Sequence, residues 1–226
     1  MGNHRLIVLR LERDWLVVDK PPGLAVHSAP GGNDVLGQLA RDFPGEAIAA
    51  VHRLDAATSG CLLVARTKPA FRILSRAFSS RMVEKSYLAV VHGQPAPPVG
   101  EVFTHIAPEI PGGVRMVVVE PGAGPTAMTH YRTVLGAGDR TLLEAMPVTG
   151  RTHQLRVHFR HLGHPLVGDL GYGYAGSGVS GRLMLHAHRL GFPDPENPAQ
   201  WIEVVAPVPG EFRLAMPEWS GQVPWR

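Results

Sequence analysis

His52-Arg53-Leu54-Asp55-Ala56-Ala57-Thr58-Ser59-Gly60 runs directly into Cys61-Leu62-Leu63-Val64-Ala65-Arg66, a continuous apolar run of strand length. An acid among small and hydroxylated residues, in a loop entering a rigid strand, is well placed for a working carboxylate. The same residue types also suit turn hydrogen bonds, and the local pattern alone leaves both readings open. Downstream, residues 69–80 read as a helix, with Pro69 suited to its first turn. Ala70, Phe71, Ile73, Leu74, Ala77 and Phe78 recur at helical spacing, leaving Arg72, Ser75, Arg76 and Ser79 for solvent. Upstream, residues 6–11 and 14–19 read as short strands closed by the rigid turn Lys20-Pro21-Pro22-Gly23.

Further along, residues 85–91 form another buried strand, and the Pro- and Gly-rich stretch 93–124 holds short strands around 114–119. Residues 131–135 and 141–146 read as a hairpin across Gly136-Ala137-Gly138-Asp139. Residues 152–162 make a second helix, with Thr152 as cap and Gly163 as terminator. Residues 185–192 and 201–205 supply the last strands. Strands outnumber helices and arrive mostly in succession. That predicts an α+β fold, a mixed, largely antiparallel β-sheet flanked by helices, as one domain over residues 1–226.

Composition narrows the function classes. Cys61 is the only cysteine, so no internal disulfide forms and a reducing compartment is expected. The apolar runs are too short to cross a bilayer and the first residues lack a signal peptide's apolar stretch, so a cytoplasmic protein with no membrane partner is expected. No Gly-rich phosphate loop is present, so a nucleotide cofactor is not indicated. The net charge is +3, and only Lys20, Lys68 and Lys85 are lysines among 22 basic residues, the others being Arg. A basic, Arg-rich chain suits a polyanion, while coding bias in the source genome explains the Arg excess equally well.

A second cluster, Thr149-Gly150-Arg151-Thr152-His153-Gln154-Leu155-Arg156-Val157-His158-Phe159-Arg160, falls on the second helix. At 100° per residue Leu155, Phe159 and Leu162 share one face, and His153, Arg156 and Arg160 the opposite one. That face is either a solvated cationic surface or a source of a cation that pairs with an acid in a polar site. His153, His158, His161 and His164 crowd together but make no metal site, because residues five apart diverge by about 140° around a helix. Cys61, opening an apolar strand with no base beside it, reads as a core residue.

These segments, taken in order, resemble the RluA-type pseudouridine synthases. Asp14-Trp15-Leu16-Val17-Val18-Asp19-Lys20-Pro21-Pro22-Gly23-Leu24-Ala25-Val26-His27 is similar to that family's opening motif, and residues 52–60 to its catalytic motif. Lys85-Ser86-Tyr87-Leu88-Ala89-Val90-Val91-His92-Gly93 resembles its tyrosine-bearing strand. Residues 150–158, followed by Gly163-His164-Pro165-Leu166-Val167-Gly168-Asp169, resemble the third block. Arg182-Leu183-Met184-Leu185-His186-Ala187 and Ala206-Pro207 complete the set, over nearly the whole chain.

The resemblance implies an RNA pseudouridine synthase, an isomerase needing no cofactor and no metal, acting as a monomer on ribosomal or transfer RNA. It makes Asp55 the essential aspartate, Tyr87 the tyrosine against the target base, and Arg156 the arginine pairing with the catalytic acid. Arg53 falls where an arginine fills the gap left by the flipped nucleotide, and Leu185 where a leucine lines the pocket. His52, Leu54, Arg151 and His153 join them as substrate-binding candidates through the same motifs. Thirteen residues precede the first motif, too few for the separate RNA-binding domain of many relatives, so the catalytic domain is expected to bind RNA unaided. Cys61, Ser28 and Pro125 depart from the residues frequent in the family, and Pro125 removes a charge that often contacts RNA. Two rival readings stand beside this one. One is an inactive RNA-binding module of the same fold. The other is a carbohydrate hydrolase, which needs a second carboxylic acid, for which the motif blocks offer only Asp169, itself read as a turn residue.

Overall fold

The computed structural model describes residues 6–28, 33–173 and 181–223. In chain order the elements are β1 (Ile7–Leu11), β2 (Trp15–Lys20), α1 (Val35–Asp42), β3 (Ala49–Ala50), β4 (Ser59–Ala65), α2 (Lys68–Ser79), β5 (Glu84–His92) and β6 (Val99–Pro108). There follow β7 (Met116–Val119), β8 (Thr126–Ala137), β9 (Arg140–Pro147), α3 (Gln154–His161), β10 (Leu185–Pro193), β11 (Trp201–Val205) and α4 (Gly210–Ala215). They form two compact units, the first of residues up to 85 with 187–207 and the second of residues 86–186 with those from 208 on. The registered strand pairs are antiparallel and the helices few, so the α+β expectation holds. Among the described residues no helix is long and apolar enough to cross a membrane.

In the first unit β4 is the central strand, buried at all seven positions as its unbroken apolar run requires. It pairs with β2 from Trp15 opposite Ala65 to Lys20 opposite Gly60, while β1 extends β2 and β11 extends β10. α2, capped by Thr67 through Ala70 N–H, lays Ala70, Leu74 and Ala77 on Trp15, Val17, Leu63, Phe192 and Ile202. Each fully buried large side chain in that layer contributes about 1.5–3 kcal/mol. Phe71 and Ile73, expected in this layer, are instead exposed, because they flank the narrow stripe of contact with β4. Cys61 belongs to the core: its thiol lies 3.7 Å from the His188 carbonyl and 3.6 Å from that of Val204, and burial pushes its pKa up to about 12. α1, not expected from the sequence, starts at Asp34, whose carboxylate accepts Gly37 N–H at 2.7 Å and the Ser28 N–H and hydroxyl at 2.7 and 2.6 Å.

In the second unit the strand order is β5-β9-β8-β6-β7. β8 and β9 run closer to their turn than the sequence suggested, leaving only Gly138-Asp139 between them, with Gly138 at φ +56°. Leu155, Val157 and Phe159 of α3 are buried, while Leu162 caps the helix. The expected cap at Thr152 is not formed. The chain enters α3 through His153 in the left-handed region, φ 55°, with no side-chain cap on the helix. The entry is organised instead by Gln154, whose amide oxygen accepts the Thr149 hydroxyl at 2.6 Å and Arg151 N–H at 3.0 Å. Its amide nitrogen donates to the Met128 carbonyl at 2.9 Å and to Thr129 Oγ1 at 3.0 Å.

The network continues through Thr129, whose Oγ1 also lies 2.9 Å from His158 Nδ1, while His158 Nε2 lies 3.0 Å from Thr104 Oγ1. His158 is completely buried, and burial followed by the charge of His161 pushes its pKa down to about 4. In the first unit His52 is pushed down to about 3 by burial and then by Lys85.

Two outcomes follow from these contacts. A methyl group on Gly60, at φ +108°, would sit 2.2 Å from the backbone oxygen of Ala187. Gly60→Ala is expected to cost about 3 kcal/mol or more by denaturant titration, and an unchanged midpoint would contradict that close approach. His52 and His158 stay neutral in the fold, whereas the unfolded chain protonates them near their ordinary value of 6.5. Their stabilisation is therefore complete above about pH 6.5 and lost as pH falls toward the depressed values. Between about pH 7.5 and 5, His158 alone accounts for a loss on the order of 2 kcal/mol, which His158→Gln should remove from the pH dependence.

Candidate active site

Asp55 lies half-buried at the start of a turn in which its carbonyl accepts Thr58 N–H at 3.0 Å. A turn of this kind leaves backbone oxygens without ladder partners, and the fold answers with one ammonium. Lys20, wholly buried at the end of β2, donates to the carbonyls of Pro21 (3.0 Å), Leu24 (2.7 Å) and Ala56 (2.9 Å). Gly23 N–H adds a bond to the Ala56 carbonyl at 2.8 Å. The Pro21-Pro22-Gly23 turn and the residue after Asp55 are thereby held to a single point.

The neighbours of Asp55 divide between fold and surface. Leu54, Thr58 and Ser59 are buried, and the Arg53 side chain is exposed. His52 Nε2 accepts Leu63 N–H at 3.0 Å, and its ring stacks on Phe78 of α2 at 4.7 Å and 17°. The accepting nitrogen of His52 thus serves the fold, which suits its neutral state.

The second unit holds the remaining candidates. Tyr87 is half-buried on β5 opposite Ala145. Its neighbour Ser86 donates to the buried Glu144 at 2.6 Å, and Glu144 also binds Arg132. Leu185 is buried at the start of β10. Arg151 is exposed and donates through Nε to the Thr126 carbonyl at 2.9 Å.

Arg156 makes a two-point pair with Asp169, Nε to Oδ2 at 2.8 Å and Nη2 to Oδ1 at 2.7 Å. Asp169 has the turn role read for it, since Oδ1 also accepts Gly171 N–H and Tyr172 N–H, each at 3.0 Å. Its side chain is fully buried, so the guanidinium is the counter-charge that makes its ionised form tenable. Two guanidinium groups lie over the Tyr172 ring, that of Arg156 at 4.7 Å and that of Arg115 at 5.8 Å. Its hydroxyl accepts Met116 N–H at 2.8 Å and lies 2.8 Å from His153 Nδ1. Arg160 donates to the Tyr172 carbonyl at 3.0 Å. The cationic face read on α3 therefore docks on residues 169–172, and His153, Arg156 and Arg160 converge there.

Lys20, Asp169, Tyr172 and Arg115 carry this geometry and were not singled out as site residues from the sequence. Lys20 had one signal: it is one of three lysines in an Arg-dominated chain, and only an ammonium presents three donors to carbonyls converging on one point. Tyr172 had none, because its partners lie far from it in the chain.

Residues 14–161 match the model of the RNA pseudouridylate synthase family. Over 208 residues the chain is 42% identical to an uncharacterized RNA pseudouridine synthase of Chloroflexus aurantiacus, covering 88% of this chain and 64% of that protein, less than two thirds of its length. Over 214 residues it is 39% identical to the dual-specificity RNA pseudouridine synthase RluA of Escherichia coli, covering 92% of this chain and 94% of that one. The solved structure of human RNA pseudouridylate synthase domain containing 1 superposes with a TM-score of 0.77 at 33% identity, over 92% of this chain and 86% of that one. The matched residues include Asp55 on its clamped turn, Tyr87 on β5 and Arg156 on Asp169, and the chain belongs to the RNA pseudouridylate synthase family.

Proposed function

We propose that this protein converts uridines of RNA to pseudouridine, with Asp55 as the reacting carboxylate. The supporting observation is that Asp55 is a half-exposed acid on a turn locked by Lys20, inside the stretch matched to the family. The reaction breaks the bond from sugar to uracil nitrogen and forms one to carbon, with no net oxidation or hydrolysis, so neither a nucleotide cofactor nor a metal is required. An ionised carboxylate can attack the sugar's anomeric carbon or remove a sugar proton, and both routes begin from the same charged Asp55.

Tyr87 packs against the extruded base, and Leu185 lines its pocket. Arg156 is the cation proposed to face the reacting acid. Its bond to Asp169 uses two of the five guanidinium donors, so its direction is set while donors remain for a second acceptor. Arg53, exposed beside Asp55, fills the place of the extruded nucleotide, and Arg151 and His153 contribute to RNA binding with Leu54 and His52 shaping the loop. Extrusion from a paired helix costs a few kcal/mol, so targets lie in loops or distorted stems of ribosomal or transfer RNA. The family match spans the boundary between the two units, which supports one catalytic domain. The rival reading, an RNA-binding module without activity, is separated from this one by catalysis alone.

Release of tritium from RNA labelled at uracil carbon 5 measures the reaction directly. Asp55→Asn is expected to slow release on the order of 10⁴-fold or more while RNA affinity changes by less than about threefold. Release at the unaltered protein's rate would remove Asp55 from the chemistry. Arg156→Ala leaves the Asp169 carboxylate buried without its counter-charge, so it is expected to lower stability by about 3–5 kcal/mol as well as the rate. A variant that loses rate but keeps its full unfolding free energy would show that the pair with Asp169 does not carry stability.

A further inference from the structure

The solvent face of α2 is assigned no part in the reaction above, yet its charge is unusual. Lys68, Arg72 and Arg76 recur every four residues, all exposed. On a helix this places them in one row about 6 Å apart. Ser75 and Ser79 lie in the same row, and Phe71 and Ile73 border it with exposed apolar groups. From residue 56 to residue 83 there is no Asp or Glu, while Arg66, Lys68, Arg72, Arg76 and Arg81 all fall in that span. The whole chain is only +3, so what lies outside this span is net negative. Arg66 is neutralised by Glu46, but Lys68, Arg72, Arg76 and Arg81 have no ion pair among the described residues.

A solvated helix face ordinarily alternates charges so that residues four apart attract. Here they repel, and the first turn carries a cation where the helix dipole favours an anion. Both features turn favourable when a chain of anions lies along the row. We propose that α2 is a phosphate-binding rail for RNA, with Lys68, Arg72 and Arg76 neutralising successive phosphates and Ser75 donating to their oxygens, while the Ser79 hydroxyl donates to the Arg76 carbonyl at 2.9 Å. The rail leads toward the reactive loop: Phe78, in the last turn of α2, stacks on His52, three residues before Asp55. It therefore grips RNA flanking the target uridine. This rests on the RNA substrate proposed above.

The test compares the unaltered protein with the variant Lys68→Gln, Arg72→Gln, Arg76→Gln. All three positions are exposed and Gln is a good helix former, so the fold is retained, as a thermal melt verifies. Binding to labelled, unmodified tRNA transcripts is measured from about 50 to 300 mM salt, with tritium release at saturating RNA in parallel. The triple variant is expected to bind at least about tenfold more weakly at low salt, with a salt slope smaller by about two to three and an unchanged kcat. The variant Arg72→Lys, Arg76→Lys keeps the charge and should keep the slope. An unchanged slope in the Gln variant overturns the rail, as does binding to phosphatidylserine vesicles that the substitutions abolish while tRNA binding persists. If the unaltered protein itself fails to bind tRNA or ribosomal RNA fragments, the RNA substrate falls first, and the two failures are told apart.

Discussion

One ammonium shared by three carbonyl oxygens is the constraint on which the loop carrying Asp55 depends. Lys20 is completely buried and donates to Pro21, Leu24 and Ala56, so two irregular segments far apart in the chain are fixed to one point. The loop that carries Asp55 is irregular backbone, outside any strand or helix ladder. Such backbone leaves carbonyls unpaired, and leaving one buried and unpaired costs about 1–3 kcal/mol. A single buried cation removes that penalty for three groups at once. Gly60 completes the arrangement by letting the loop enter β4 against the backbone of Ala187, at a distance no side chain tolerates.

The second unit solves the same problem with a different cation. The segment 169–172 is also irregular, and Asp169 collects its N–H groups while Arg156 neutralises the carboxylate. A planar guanidinium suits a two-point bond to a carboxylate, as an ammonium suits converging carbonyls, and each unit uses the cation whose geometry fits. Tyr172 ties this knot to β7 through Met116 and to the left-handed entry of α3 through His153. Beneath α3, the chain of Gln154, Thr129, His158 and Thr104 satisfies every polar group it buries. A network so complete fixes the angle of the helix on its sheet, and thereby the direction in which Arg156 points.

Much of the fold was legible because periodicity records burial. The apolar run 61–65 appears as the fully buried β4, and the alternation in α2 placed Ala70, Leu74 and Ala77 correctly. Phe71 and Ile73 misled, since apolar character does not tell how wide a stripe the neighbouring sheet covers. α1 was missed although Asp34 precedes Val35, Leu36 and Leu39, because the segment is short and holds a glycine. Thr152 looked like a cap by type, but the Gln154 side chain already held the entry to α3 and the backbone turned through His153.

The sequence by itself determined which residue types stand in the motif blocks, their order, and the strand and helix periods between them. Those features are local, and a short window of side chains contains them. It also determined the excess of cations between residues 56 and 83, a matter of counting. Only the tertiary structure decided that Lys20 holds three carbonyls, that Asp169 takes Arg156, and that the Tyr172 ring meets both Arg115 and Arg156. Each of these includes groups well separated in the chain, up to 57 residues apart, meeting within a few ångströms. Coulomb attraction and hydrogen bonding act over distance in space, and separation along the chain does not encode it.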